Sequence, residues 1–337
     1  MTPGPYESEW QTRKRRIDPK LDACGWLLRN GNVVGLHAPA RTEEHDTDHG
    51  PADYALWLDG HVVGVVEAKK LTVGPQDRLT QAERYARGLT SGRFNFDGLR
   101  CPFLYSTNGE VIWFRDARSS MNRSRTIANF HTPAALRSLL ESDFDGATAK
   151  LLHTPNDHSL LRPYQRKANQ AIEQAIADRK RHLLVAMATG TGKTFTMVNQ
   201  VCRLMQSGVA KRVLFLVDRR ALAAQAIRAF SSFDAAPGQK FSQLYEIYSS
   251  RFHMGDFGED EKFDPNVLPT RYLTDPQPGD AFVYVATIQR MAINVLGRQA
   301  IFGAGDEEID EEVDRLDIPI HAFDVIVADE MPSRFRG

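Results

Sequence analysis

Short apolar runs that alternate with amphipathic segments predict a mixed α/β protein. ADYALWLDG and HVVGVVEAKK, which meet at Asp59-Gly60, are predicted strands, and FLYSTNGEVIWFRD predicts two more around a turn at Asn108-Gly109. Further on, residues 183–187, residues 212–217, AFVYVATIQRM and FDVIVADE contain apolar runs typical of buried strands. Helices between these later strands would make a doubly wound parallel sheet.

The start of the chain predicts one amphipathic helix over residues 7–30, beginning near Ser8. Four apolar residues would face a core: Trp10, Ile17, Leu21 and Trp26. The basic run Arg13–Arg16 on the other side is either a solvated face or a contact to a phosphate backbone. Glu9 at the helix start is either a partner of the helix dipole or a metal ligand.

Composition adds little to this pattern. The 337 residues suggest two domains, and the formal net charge of −1 neither favours nor excludes nucleic acid. Three scattered cysteines indicate neither a zinc site nor a disulfide framework. This cysteine pattern fits a reducing compartment, so we expect a cytoplasmic protein, and no membrane-length apolar run or signal peptide is visible. The pattern weakens around Pro155, which predicts domains 1–145 and 160–337 with a linker at 146–159.

The segment HLLVAMATGTGKT, residues 182–194, predicts a strand that runs into a phosphate-binding loop. Gly190 and Gly192 allow the backbone to curl so that N–H groups point inward, Lys193 can reach the β- and γ-phosphates, and the Thr194 hydroxyl can bind Mg²⁺. Thr189 and Thr191 belong to the same loop, and a helix should follow over residues 193–206. The strict pattern asks for glycine where this chain has Met187, so the match is to a shorter form.

A second constellation lies on the first predicted hairpin. Asp53 begins one strand, while Glu67 and Lys69 share a face of the next. Asp followed by Glu-x-Lys is the PD-(D/E)xK nuclease pattern, in which two carboxylates hold Mg²⁺ near the scissile phosphate and lysine orients the attacking water. The alternative without a catalytic role is that Glu67 and Lys69 only keep an edge strand soluble.

Strand parity makes the nuclease hypothesis testable. A regular hairpin with a two-residue turn would place Asp53 opposite Val66 and facing away from Glu67. A three-residue connection or a β-bulge would restore a common face, and we expect an odd loop. Downstream, Gln81 and Tyr85 are four residues apart on one predicted helix face.

The last predicted strand, FDVIVADE, ends in two carboxylates, which is the Walker B form. Asp329 would hold Mg²⁺ through water, and Glu330 would polarise the attacking water. We therefore predict ATP and Mg²⁺ as cofactors.

The combination EWQTR, ADYALWLDG, VVEAKK, QAERY and YSTNG resembles the N-terminal nuclease domain of the restriction (R) subunit of type I restriction-modification enzymes. The resemblance implies catalytic roles for Asp53, Glu67 and Lys69, DNA positioning by Gln81 and Tyr85, and an acidic first helix at Glu9. It also implies double-stranded DNA and the modification and specificity subunits as partners.

The second half resembles superfamily 2 helicases. LLRPYQRKANQ is similar to the Q-motif, which implies that Gln165 hydrogen-bonds the adenine edge. RVLFLVDRRALAAQA resembles a DNA-contacting motif at Arg219, although Arg219 and Arg220 could instead be a solvated helix start. AFVYVATIQRM resembles a strand-tracking motif with Thr287 and Gln289. The implied fold is a PD-(D/E)xK nuclease domain followed by one RecA-like ATPase lobe.

The expected function is ATP-dependent DNA cleavage and translocation. One alternative is a stand-alone helicase-nuclease of DNA repair, and another is a catalytically silent product that only binds DNA, ATP or other subunits. Nothing in the chain corresponds to a second RecA-like lobe, so ATP turnover by this chain would be inefficient.

The chain's last residues depart from the resemblance, which leads one to expect DECH or DEAH where this chain has DEMPSRFRG. A shift by one base after the Glu330 codon permits DECHRG. We therefore expect either a frameshift or a variant ending, and the gene sequence would distinguish them.

Overall fold

The computed structural model describes residues 7–29, 37–70, 79–90, 92–250, 266–297 and 315–329. Glu330 and the sequence after it, like the acidic run 306–314, lie outside these residues. The chain divides into two compact units, Met1–Ser142 and Asp143–Gly337. The predicted linker at 146–159 is wrong in its first part, because the helix Phe144–His153 covers it and belongs to the second unit. None of the described helices is both long and apolar enough to cross a membrane.

The first unit is built on one mixed sheet. Its helices are α1 (Glu9–Thr12), a π-helical turn (Arg13–Ile17), α2 (Asp18–Ala23), α3 (Leu79–Arg87) and α4 (Pro133–Glu141). Its strands are β1 (Leu27–Leu28), β2 (Ala40–His45), β3 (Ala52–Leu58), β4 (His61–Ala68), β5 (Phe103–Thr107), β6 (Ile112–Asp116) and β7 (Arg125–Ile127). The seven strands found among the described residues follow chain order across the sheet, with parallel pairing between β1 and β2 and between β4 and β5.

Both faces of this sheet carry a hydrophobic cluster, which places β4 in the interior as its apolar sequence predicts. Tyr54 and Val66 belong to the cluster beneath α2, which contains Leu21. Ala55 and Val65 belong to the opposite cluster, which α3 covers. The edge-strand alternative for β4 is therefore wrong, because β4 pairs with β3 on one side and β5 on the other.

The first helix is shorter and less regular than the sequence predicts. Helix α2 ends at Ala23, close to Gly25 with a φ of +87°, where a left-handed backbone favours glycine. Ile17, Leu21 and Trp26 are fully buried as expected. The prediction for Trp10 is wrong, since this residue is 65% exposed. A π-helical turn inserts extra backbone before Ile17, so residues ahead of it leave the helical phase of those after it.

The second unit is built on a parallel sheet. Its helices are α5 (Phe144–His153), α6 (Pro163–Ala177), α7 (Lys193–Ser207), α8 (Arg220–Ser232), α9 (Phe241–Leu244), α10 (Arg271–Thr274) and α11 (Ile288–Leu296). Its strands are β8 (Arg212–Val217), β9 (Asp234–Ala236), β10 (Gln239–Lys240), β11 (Glu246–Ser249), β12 (Asn266–Val267), β13 (Phe282–Thr287) and β14 (Val325–Ala328). In the part of the second unit that the structure describes, five strands pair in parallel in the order β12-β11-β13-β8-β14, as the alternating pattern predicts.

Two predictions for this unit are wrong. Residues 183–187 form no strand, and Leu184 is 96% exposed. An apolar run becomes a strand only beside a strand that pairs with it, and none of the strand pairings in the described part of the chain involves this segment. The polar sequence of residues 231–280 predicts a long connection without a sheet strand, yet this stretch contains β11, which joins the sheet. The four residues EIYS are too short to give a clear period-two pattern.

Candidate functional site

A β-bulge sets the register of the β3–β4 hairpin. Leu58 pairs with His61 around a two-residue turn, so the odd loop that we expected is wrong. The register then shifts, because Trp57 pairs with Val62 whereas Leu56 pairs with Gly64, which leaves Val63 as the extra residue. Beyond the bulge, Tyr54 pairs with Val66. The next position therefore places Asp53 opposite Glu67 and confirms the bulge alternative.

Asp53 and Glu67 interact through their charges. Glu67 is only 2% exposed, and burial, reinforced by the nearby charge of Asp53, raises its pKa to about 7. Burial also raises the pKa of Asp53, while a hydrogen bond from the Ala68 amide and the charge of Arg13 lower it. Such perturbed carboxylates on adjacent strands are characteristic of functional sites.

Lys69 lies on the same face as Glu67, and its ammonium donates a hydrogen bond to Glu67 Oε1. Glu67 Oε2 is buried without a hydrogen-bond partner. A buried carboxylate oxygen without a donor is energetically costly, so the site has an acceptor to which a cation could bind.

This orphaned oxygen makes the site suitable for Mg²⁺. Mg²⁺ is commonly held by one or two carboxylates, with water and substrate phosphates completing its ligands. Asp53 and Glu67 fit that requirement. Among the described residues, however, no group of three or more His, Cys, Asp or Glu side chains could hold a metal ion. Glu9 lies in the first turn of α1, and its charge is close enough to raise the pKa of both Asp53 and Glu67, so its role as a metal ligand stays a prediction beside the dipole-partner alternative.

Helix α3 covers the face of the sheet that carries this pair. Tyr85 is buried in the cluster with Ala55 and Val65, one period-two step along the strands from Asp53 and Glu67. Gln81 Nε2 donates a hydrogen bond of 2.8 Å to the Tyr85 hydroxyl. The two residues therefore act as a pair at this face, while their role toward DNA remains a prediction.

The sequence did not reveal that Arg13 belongs to this site. It was predicted within a solvated or phosphate-binding basic run, yet its side chain is 8% exposed. Its guanidinium contacts Glu44 and Asp53. Burial lowers the pKa of Arg13, but hydrogen bonds to Glu44 and Tyr54 raise it above the ordinary value, so the group stays charged.

The phosphate-binding loop of the second unit has the backbone that its glycines predict. Gly190 and Gly192 have φ values of +77° and +78°, which side chains with a Cβ adopt at a cost. Helix α7 begins at Lys193, as predicted. The first-turn N–H groups of a helix attract phosphate.

Two sequence-predicted Mg²⁺ ligands lie together in this unit. Thr194 Oγ1 donates a hydrogen bond of 3.5 Å to Asp329 Oδ2, although 135 positions separate the two residues. Asp329 follows β14, and its amide donates to the Leu216 carbonyl of β8. This proximity of a P-loop hydroxyl to a Walker B carboxylate suits a Mg²⁺ ion that accompanies nucleotide.

Gln165 holds the loop in this structure. Its Nε2 donates to the carbonyl of Thr191 at 3.0 Å and of Gly192 at 3.3 Å, and its Oε1 accepts from the Arg162 amide at 2.9 Å. The Tyr164 hydroxyl also donates to the Thr191 carbonyl. The adenine contact of Gln165 stays a prediction, because both ends of its amide are engaged with backbone groups.

The three residues predicted to contact DNA follow two neighbouring parallel strands. Arg219 precedes α8 after β8, and its side chain is 75% exposed. Thr287 ends β13 and accepts a hydrogen bond from the Arg290 amide as the N-cap of α11, while Gln289 is half-buried in that helix. Because β8 and β13 are paired in parallel, these residues lie at one edge of the sheet. The capping bond gives Thr287 a structural role that the sequence resemblance did not imply.

A parallel sheet with a P-loop and a carboxylate at the end of β14 defines an α/β, RecA-like class. Comparison with known families refines this class. Residues 158–331 match the family described as type III restriction enzyme, res subunit, and residues 38–140 match the second domain of the type I restriction enzyme EcoKI endonuclease subunit.

Curated relatives point in the same direction. The EcoKI endonuclease subunit of Escherichia coli K12 is 30% identical, over 93% of this chain and 28% of that protein. The EcoAI endonuclease subunit of Escherichia coli is 29% identical, over 72% of this chain and 30% of that protein. This chain thus spans less than a third of the length of either relative. It belongs to the R-subunit family of type I restriction enzymes, which confirms the resemblance.

A solved fragment of an HsdR subunit of a type I restriction enzyme from Vibrio vulnificus YJ016 also matches. It is 20% identical and covers 98% of this chain and 56% of that chain, with a TM-score of 0.32. A score this low carries no argument about the fold.

Proposed function

We propose that the first unit is a Mg²⁺-dependent DNA endonuclease of the PD-(D/E)xK type. The observation that carries this proposal is the bulge-aligned pair Asp53 and Glu67 with Lys69 beside it and one Glu67 oxygen without a partner. Asp53 and Glu67 would hold Mg²⁺, which would supply charge stabilisation at the scissile phosphate. Lys69 would orient the attacking water and offset the charge that develops.

The second unit is, on this proposal, the first ATPase lobe of a DNA translocase. The left-handed glycines, the α7 N-terminus and the Thr194–Asp329 contact support ATP·Mg²⁺ binding. Arg219, Thr287 and Gln289 are proposed DNA contacts, and Glu330, outside the described residues, is proposed to polarise the attacking water. The partners would be double-stranded DNA and the modification and specificity subunits, because the relatives are type I endonuclease subunits.

Cleavage of a supercoiled plasmid tests the proposal against the binding-only alternative. A full-length R subunit that contains this chain's sequence is mixed with the modification and specificity subunits, ATP and plasmid that carries their recognition sequence, with Mg²⁺ or with EDTA. We expect cleavage that requires Mg²⁺. Binding of DNA and ATP without cleavage under any of these conditions would favour the silent binding product instead. The repair helicase-nuclease alternative has lost its support, because both reported relatives are restriction subunits.

A further inference from the structure

Arg13 makes an unusual set of contacts for a residue in a basic run. Its Nη1 contacts Glu44 and lies 3.3 Å from Asp53 Oδ1, and its Nη2 donates to the Asp53 backbone carbonyl at 3.2 Å. Nε donates to the Tyr54 hydroxyl at 3.4 Å, and the guanidinium carbon lies 4.8 Å from the centre of the Tyr54 ring. One side chain thus contacts both the carboxylate and the main chain of Asp53.

Asp53 is held on both of its carboxylate oxygens. Oδ2 accepts a hydrogen bond of 2.7 Å from the Ala68 amide on β4, and Oδ1 faces Arg13. These contacts come from two different elements, so they fix the rotation of the carboxylate as well as its position. Glu67 lies on the same face of the sheet as Asp53 and forms an ion pair with Lys69.

The helix geometry is adapted to this contact. Arg13 begins the π-helical turn that ends at Ile17, and Ile17 is fully buried in the cluster that also contains Tyr54. π-helical turns arise from one extra residue and are frequent at functional sites. Here the turn allows Ile17 to pack in the core while Arg13 reaches Asp53.

The neighbouring basic residue provides a contrast within the same turn. Arg16 pairs with Glu7 at 2.7 Å and with Glu110 at 3.3 Å, and Glu110 is 61% exposed. The pair with Glu7 is partly buried, because the Glu7 side chain is 3% exposed, but neither carboxylate belongs to the proposed metal site. The buried guanidinium of Arg13 needs acceptors for its N–H groups, because an unpaired buried charge is costly. Its planar set of donors can contact several acceptors at once, which a lysine ammonium does not do with the same geometry.

We propose that Arg13 is a positioning residue that fixes the Asp53 carboxylate for metal binding at the proposed nuclease site. The inference rests on the proposed function of the first unit. Arg13 acts on the metal through Asp53, as outer-shell partners of metal ligands do.

The test measures Mn²⁺ binding by electron paramagnetic resonance to the whole chain, without nucleotide or DNA. We expect Arg13→Lys, which keeps the charge and loses the fork, to weaken Mn²⁺ binding by roughly 10- to 100-fold. Arg16→Lys is the matched control and should bind as the wild type does. Circular dichroism monitors folding, and if Arg13→Lys does not fold, Tyr54→Phe, which removes one Arg13 acceptor, should show a smaller loss in the same direction.

Asp53→Asn separates this inference from the proposed function. If Asp53→Asn weakens Mn²⁺ binding whereas folded Arg13→Lys, or Tyr54→Phe in its place, binds as tightly as the wild type, Arg13 has no positioning role and the metal site stands. If Asp53→Asn itself leaves Mn²⁺ binding unchanged, the proposed metal site is wrong and the role of Arg13 is overturned with it.

Discussion

The carboxyl group of Glu67 is buried, and its ionisation there lowers the stability of the folded state by an amount that can be measured. Its pKa is raised to about 7 from an ordinary value of 4.5, first by burial and then by Asp53. The folded state therefore binds a proton more tightly than the unfolded state does. The stability from this group is fully present below about pH 4.5 and is lost as the pH rises through about 7.

Glu67→Gln should remove this loss. In EDTA at pH 8, we expect the variant to be about 1–3 kcal/mol more stable than the wild type, and the difference should shrink toward pH 5. Urea unfolding at the two pH values measures it, with exposed Glu141→Gln as the control. A wild type that is at least as stable as Glu67→Gln at pH 8 would contradict the raised pKa of Glu67.

Lys193 carries the corresponding prediction for the second unit. A charged hydrogen-bond donor contributes about 1.5–3 kcal/mol, so Lys193→Ala should weaken ATP binding by roughly 10- to 150-fold. Isothermal titration calorimetry with a non-hydrolysable ATP analogue and Mg²⁺ measures the affinity. Lys180→Ala, which removes a lysine with 63% exposure, should change nothing. Equal affinity of Lys193→Ala and the wild type would count against the P-loop assignment.

At the scale of elements, the π-helical turn is the feature whose removal is most informative. Deletion of exposed Arg15 should convert the turn Arg13–Ile17 into a regular helix. Residues before the deletion would then rotate by about 100° relative to Ile17 and Leu21. Since Arg13 would leave Asp53, we expect Mn²⁺ binding to weaken about tenfold or more.

Arg15→Ala provides the control for this deletion, because it removes the same side chain without shortening the helix. It should bind Mn²⁺ as the wild type does. If the deletion and the substitution bind Mn²⁺ equally well, the turn has no part in holding the site.

The elements also show where a sequence pattern is informative and where it is not. Strands β3, β4, β8 and β13 were predictable because their apolar residues are buried on a regular sheet. The parity of Asp53 and Glu67 required a bulge, whose position at Val63 follows from pairing across strands and has no local signal. Burial of Arg13 was likewise hidden, since its acceptors Glu44, Asp53 and Tyr54 are distant in sequence.

The residues 183–187 illustrate the opposite limit. Their apolar sequence suits a buried strand, yet Leu183 is 40% and Leu184 is 96% exposed. An apolar run indicates that a segment is able to form a strand, but the strand forms only where a neighbouring strand accepts its backbone hydrogen bonds. The loop after this segment nevertheless has the left-handed glycines that phosphate binding requires, because that geometry is encoded locally.

At the scale of the whole molecule, the residues of the two proposed activities belong to separate units. Asp53, Glu67 and Lys69 belong to the first unit, and the P-loop and Asp329 belong to the second. The chain belongs to the family of type I R subunits and spans 28% of the length of the EcoKI relative. A substitution in the proposed nuclease site should therefore impair DNA cleavage and leave ATP binding unchanged, and a substitution in the P-loop should leave metal binding at the nuclease site unchanged.

The most direct test of this claim compares Lys69→Ala with the wild type in the assembled restriction complex, with both DNA cleavage and ATP affinity measured. We expect Lys69→Ala to abolish cleavage of a supercoiled plasmid while the dissociation constant for ATP stays that of the wild type. Wild-type cleavage by Lys69→Ala, or a loss of ATP binding together with cleavage, would contradict it.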